Sequence, residues 1–336
     1  MTTVTIKNPI DEFSKRLQKI DKKLAKEIKN YLPEWWENEL INSPGAVQQA
    51  LVSIAKFTNL NLKNVLNTGE LLHFKEENIC CYKHANNKEY SELAAATAIV
   101  QSLSNTVADI TIQNHLQFQD AHTIRDNLLQ SNKPWIDLKS LVNYCWKNGV
   151  PVLYLPELPV SKKMDGVVVD VNGRSVISLT KKHKHESNLL FLLAHEMGHI
   201  FHNHLKLGQT IIDKRINRQE NGLDEQEKQA NNFAIELLTG AEDTKFHSYG
   251  KKLKAKALAS GAEEKGIKHN IDPGHVILNW GYTTNHWKIA NAALNIFYPE
   301  PDWKVYIRNK LCEEINEDEA NEDQLDYLYK LMKVGE

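Results

Sequence analysis

His195-Glu196-Met197-Gly198-His199 is the segment whose residue types and spacing carry chemistry. Two histidines four apart on a helix share one face, about 5 to 6 Å apart, so both rings can reach one metal ion at roughly 2.0 to 2.1 Å. Glu196 stands about 100° further round the helix, beside such an ion rather than on it, where a carboxylate can take a proton from water. The HExxH spacing therefore points to metal-assisted hydrolysis of a peptide bond, with Zn2+ as the expected ion. A catalytic zinc needs a third protein ligand and an open position. His202 lies near the same face but about 10 Å of rise beyond His195, too far for the side chains of one straight helix to converge. The HExxHxxGxxH arrangement is excluded, because His202 occupies the glycine position and Leu205 the third histidine position.

The helix that must carry the motif is expected from about Ser187 to Leu205. It is apolar on nearly every side, through Leu189, Leu190, Phe191, Leu192, Leu193, Ala194, Met197, Ile200 and Phe201. Such a helix is buried. Imidazoles and a carboxylate carried into those surroundings need partners, since an unpaired buried carboxylate costs several kcal/mol or changes its protonation. Gly198 in mid-helix costs about 1 kcal/mol relative to Ala and signals a close approach against the backbone. A second helix, about Asp224 to Leu238, offers the missing ligand. Its apolar stripe runs through Leu223, Ala230, Phe233, Ala234, Leu237 and Leu238; Glu227 falls inside the stripe, while Glu225 and Glu236 fall opposite. Glu227 would complete a site of two histidines and one glutamate, or, at the stripe edge, snorkel to solvent.

Around these helices the chain reads as an α+β protein. Ile10, Phe13, Leu17, Ile20, Leu24 and Ile28 predict one amphipathic helix, and a second helical stretch follows from Trp35 to Ile41. Ser43-Pro44-Gly45 reads as a break before further helix through Leu60. A long helix is expected from Ser91 to Ile112 as a packing strut, and another from Ile136 to Gly149 before a strand at Val152 to Leu155. Val167 to Val171 and Arg174 to Thr180, joined by Asn172-Gly173, form the clearest hairpin. The strand Arg174 to Thr180 is either a free sheet edge on which an extended substrate adds as a further strand, or a plain structural edge. An Asn221-Gly222 break precedes the Glu227 helix, and Gly240 with Lys251, Lys252, Lys254 and Lys256 marks a boundary after it. The expected division is a helical unit over 1–65, a helical connecting region over 66–132, a short-sheet and two-helix core over 133–240, and a helical region with an acidic tail over 241–336.

The chain has 336 residues, 41% hydrophobic and 25% charged, enough for about two packed domains. Its net charge of −2 argues against the broad basic surface of non-specific nucleic-acid binding. The longest apolar run, Leu189 to Ala194, falls far short of the roughly 20 residues of a membrane span. The first residues lack the apolar stretch of a secretory signal, and four cysteines without a CxxC pair fit a reducing cytosol.

These residues resemble the ImmA/IrrE-type zinc metallopeptidases. The likeness runs through Val150-Pro151-Val152, Asp165-Gly166-Val167, the strand from Arg174 to Leu179, the helix LLFLLAHEMGH and the segment from Glu227 to Leu238. It covers about Ile136 to Gly240, and more loosely Ile271 to Val276. HExxH together with the later ExxANxFAxxLL is far more specific than HExxH alone. The resemblance implies a zincin-like core in which His195, His199 and Glu227 bind zinc and Glu196 is the catalytic base. It also implies cytosolic cleavage of a specific protein, in known members a helix-turn-helix repressor. The chain departs from the family in having Thr239-Gly240 where proline often follows the leucine pair, and in showing no clear helix-turn-helix domain before Lys133.

Two competing readings share these residues: a non-catalytic regulator that keeps the fold and binds a partner, and an effector or toxin protease with an unrelated protein target. His275, Tyr249 and His247 are candidates to stabilise an oxyanion. Cys80, Cys81 and His84 read as ordinary residues rather than a second metal site, and His183 and His185 as members of a solvated loop. Trp35 and Trp36 read as packing residues, and the lysine run as an exposed helix face. The tail from Glu313 to Asp326, with eight acidic residues and no basic one, reads as a solvated helix face or loose end.

Overall fold

A computed structural model of the chain describes residues 8–75, 80–82, 87–111, 118–130, 133–205, 208, 210–213, 225–247, 253–297 and 303–332. In chain order the elements are α1 (Pro9–Leu17), α2 (Lys22–Glu27), α3 (Pro44–Phe57), α4 (Leu62–Leu66), β1 (Cys80–Tyr82), α5 (Asn87–Ile110), α6 (Ala121–Leu129), α7 (Leu138–Lys147), β2 (Val152–Tyr154), β3 (Gly166–Val171) and β4 (Arg174–Leu179). There follow α8 (Glu186–Phe201), β5 (Thr210–Asp213), α9 (Glu225–Thr239), α10 (Ala255–His269), α11 (Pro273–Thr284), α12 (Trp287–Phe297), α13 (Trp303–Glu314) and α14 (Glu322–Met332). The fold is α+β. Among the described residues no helix is long and apolar enough to cross a membrane.

The strands form one mixed sheet in the order β1-β5-β3-β4-β2. At its centre is the hairpin of β3 and β4, in register from Gly166 opposite Leu179 to Val171 opposite Arg174. Asn172 and Gly173 take φ values of 54° and 89°, the left-handed pair that a two-residue hairpin turn demands. Residues of both parities are buried along β3 and β4, so both faces of the sheet are covered. The long helix α5 and the motif helix α8 both pack on these two strands. The expected free edge at Arg174 to Thr180 is not found: β4 is paired with β3 on one side and with β2 on the other, so no further strand can add to it.

Two other expectations are corrected. The single helix from Ile10 to Ile28 is broken, because Asp21 caps α2 through the Leu24 amide and at the same time holds the Ser161 amide and hydroxyl. The stretch after Trp35 forms only a 3-10 turn at Asn38–Asn42, and Ser43-Pro44-Gly45 is the start of α3, with Pro44 in the first turn where a missing amide hydrogen costs nothing. The acidic segment is a solvated face, with Glu313, Asp318, Glu319 and Glu322 exposed, and the helix that continues it buries Tyr327, Leu328, Leu331 and Met332, Tyr327 stacking on Phe57 at 4.6 Å.

Two apolar clusters result. The larger runs from α1 through the sheet and α8 to α14; the smaller joins α10, α11 and α12 through Leu258, Ala262, Ile277, Trp280 and Leu294.

Candidate metal centre

Helix α8 places the motif in the centre of the larger cluster. Twelve of its residues are buried, with His195, Glu196 and His199 at 0% exposure. The two rings sit on one face, Nε2 to Nε2 at 3.1 Å. Helix α9 crosses this face at close range, and Gly198 is the reason: a Cβ there would stand 2.8 Å from the Ala230 Cα and 2.9 Å from its carbonyl oxygen. The mid-helix glycine thus marks a backbone-to-backbone approach, as its cost in the sequence suggested.

That approach delivers Glu227. It is buried, and its carboxylate oxygens lie 3.5 Å from His195 Nε2 and 3.5 Å from His199 Nε2. Glu225 is exposed and Glu236 half-buried, as the stripe required. Burial beside Glu242 holds the Glu236 carboxyl above the usual range. His195, His199 and Glu227 are the group of metal-ligating side chains found among the described residues.

The donor cluster has the size of a metal site. Tetrahedral ligands bound at about 2.0 to 2.2 Å stand about 3.3 to 3.6 Å from one another; here the two Nε2 atoms are 3.1 Å apart, and each faces its own oxygen of Glu227, His195 Nε2 to Oε2 and His199 Nε2 to Oε1, at 3.5 Å. Two ring nitrogens and a carboxylate gathered so closely out of water fit a cation in their midst. His195 is oriented from behind, its Nδ1 lying 3.2 Å from Asn231 Oδ1, one helical turn beyond Glu227. An Nδ1 proton given to that oxygen leaves Nε2 bare toward the centre.

Glu196 points to the sheet side of α8. An ideal Cβ on Gly166, at the head of β3, would fall 1.9 Å from Glu196 Oε1 and 2.9 Å from Leu192 Cδ1, so glycine leaves the room that this carboxylate occupies. His202 is exposed, outside the cluster. Among the oxyanion candidates, His275 is buried and stacks on Phe191 at 5.9 Å, which faces His195 at 6.3 Å. His247 lines a cavity of about 380 Å³ between α10 and α11, and Tyr249 lies outside the described residues.

The solvated-loop reading of His185 is overturned: it is the N-cap residue of α8 and 4% exposed. Burial, helped by Lys184, lowers its imidazole pKa, and burial with Lys181 nearby takes His183 down to about 4. Trp36 packs partly against the larger cluster, whereas Trp35 is exposed. Lys254 and Lys256 are exposed. Lys251, Lys252, His84, Leu223, the Asn221-Gly222 break and the side chains of Cys80 and Cys81 lie outside the described residues. Sequence reasoning gave no role to Asn231, although its place four residues after Glu227 put it on the same helix face.

Fold and site together define an α+β protein with a buried two-histidine, one-glutamate centre where two helices cross. Residues 145–254 match the Peptidase_M78 family, described as the IrrE N-terminal-like domain; the match spans about a third of the chain and includes both crossing helices, in support of the likeness to the ImmA/IrrE-type metallopeptidases. No curated protein and no solved structure matches the chain.

Proposed function

We propose that the chain is a zinc-dependent endopeptidase with a zincin-like core, in which His195, His199 and Glu227 hold the ion and Glu196 is the general base. The observation that carries this reading is the donor cluster: two buried imidazole nitrogens 3.1 Å apart, each 3.5 Å from an oxygen of the buried Glu227 carboxylate. A zinc ion held there supplies Lewis acidity for a peptide carbonyl and makes water acidic near neutral pH. Glu196 would take a proton from water as the water oxygen bonds to the carbonyl carbon, and hand it to the amine nitrogen, after which the C–N bond breaks. Gly166 keeps the space this carboxylate needs.

The substrate is a specific cytosolic protein, by family likeness a helix-turn-helix repressor. Cysteine usage supports the compartment, and the substrate class is what the family resemblance implies. Glu196→Gln provides the test. With zinc content and unfolding curve unchanged, the variant should lose about 100-fold or more in the cleavage of a repressor encoded beside this gene. Cleavage at the parental rate by a folded, zinc-loaded Glu196→Gln protein would remove the enzymatic reading.

A further inference from the structure

His199 is fixed from behind by a chain of side chains that the sequence did not announce. Helix α8 closes with Asn203 in the left-handed conformation at φ 53°. The Asn203 amide donates to the Ile200 carbonyl at 3.0 Å and the His204 amide to the His199 carbonyl at 3.0 Å. This paired closure is the one that follows a left-handed residue after a helix, and it turns the chain back on the last helical turn. His204 is thereby folded onto His199, with Nδ1 to Nδ1 at 2.9 Å, and its other nitrogen, Nε2, lies 2.8 Å from Gln229 Oε1. Gln229 belongs to α9, between the ligand Glu227 and the Asn231 that orients His195.

The hydrogen positions follow from the far end of this chain. An amide oxygen only accepts, so His204 carries its proton on Nε2 and presents a bare Nδ1. That bare nitrogen accepts from His199 Nδ1–H, which leaves the His199 Nε2 lone pair directed at the centre. We propose that His204 and Gln229 are positioning residues that set the tautomer and ring orientation of His199 for metal binding. Helix α9 would then supply both the acidic ligand and, through Gln229 and Asn231, the acceptors that prepare the two imidazoles. The inference rests on the zinc-site reading above and adds residues that reading does not require.

The test is zinc affinity of the full chain, measured by competition with a chromophoric chelator, for the parent, His204→Ala, Gln229→Leu and Gln229→Glu. Melting of each metal-free protein is followed alongside. His204→Ala and Gln229→Leu should each lose about 10- to 100-fold in affinity. Glutamate offers only acceptor atoms when ionised, so Gln229→Glu should hold affinity within about threefold of the parent. A merely structural role would lower metal-free stability in all three alike and would not separate Leu from Glu. Parental affinity in folded His204→Ala and Gln229→Leu overturns the inference and leaves the metal centre standing; a parent that binds no zinc overturns both.

Discussion

Among the described residues, two helix crossings over glycine, at Gly198 and at Gly281, bury opposite kinds of surface. At the crossing of α8 and α9, Gly198 meets the backbone of Ala230, and two imidazoles and a carboxylate are enclosed beside it. At the crossing of α11 and α12, Gly281 meets the Ala290 Cβ at 3.0 Å and the Trp287 ring at 3.1 Å, and what is enclosed is Ile277, Ala290 and Leu294. The second crossing gains its stability from apolar area alone. The first encloses groups that are costly to bury without a counter-ion, which is why the same backbone device reads as a site in one place and as packing in the other.

The largest effect should come from Gly198→Ala. Alanine gains about 1 kcal/mol of helix propensity, yet the added methyl meets backbone atoms that cannot turn aside, for a net loss of about 1 to 3 kcal/mol in urea unfolding. Zinc affinity should fall with it, because Glu227 moves away with α9. Gly281→Ala meets only side-chain atoms, so unfolding should change by less than about 1 kcal/mol with zinc affinity unaltered. Equal loss of metal in both variants would erase the contrast between the crossings.

Arg125 tests how the crossings are joined. It is buried, and its guanidinium donates to the Leu237 carbonyl at the end of α9 at 3.1 Å and to the His269 and Asn270 carbonyls after α10 at 3.1 and 2.8 Å. One cation thus caps two helix C-termini. Arg125→Met strands these carbonyls and should cost about 1 to 3 kcal/mol while leaving zinc stoichiometry intact.

The sequence made the first crossing legible for a physical reason. An all-round apolar run carrying HExxH located α8, a periodic apolar stripe located α9, and the placing of Glu227 within that stripe separated it from Glu225 and Glu236. The hairpin was legible because Asn172-Gly173 has few alternatives to a two-residue turn. The strands β1 and β5, three and four residues long, carry no readable alternation. The interior position of β4 is set by β2, and the break in the first helix by Asp21 holding Ser161; both are tertiary contacts that local pattern does not encode. His204 was hidden likewise, since its approach to His199 depends on how α8 ends.

The smallest effect expected is a pH dependence away from the centre. His183 titrates near 6.5 when unfolded and near 4 when folded, because burial and Lys181 oppose its charge. The unfolded chain therefore binds more protons between these values, so this contribution is complete above pH 6.5 and is lost as pH falls toward 4. In urea unfolding at pH 7 and pH 4.5, His183→Gln should lose less stability on acidification than the parent.

Zinc content of purified Glu227→Ala beside the parent, by elemental analysis after dialysis, tests the central claim most directly. The account predicts about one zinc per parent chain and a small fraction of that in the folded variant, whose two histidines alone form an incomplete set. Full zinc retention by the variant would place the third ligand elsewhere and contradict the centre described for α8 and α9.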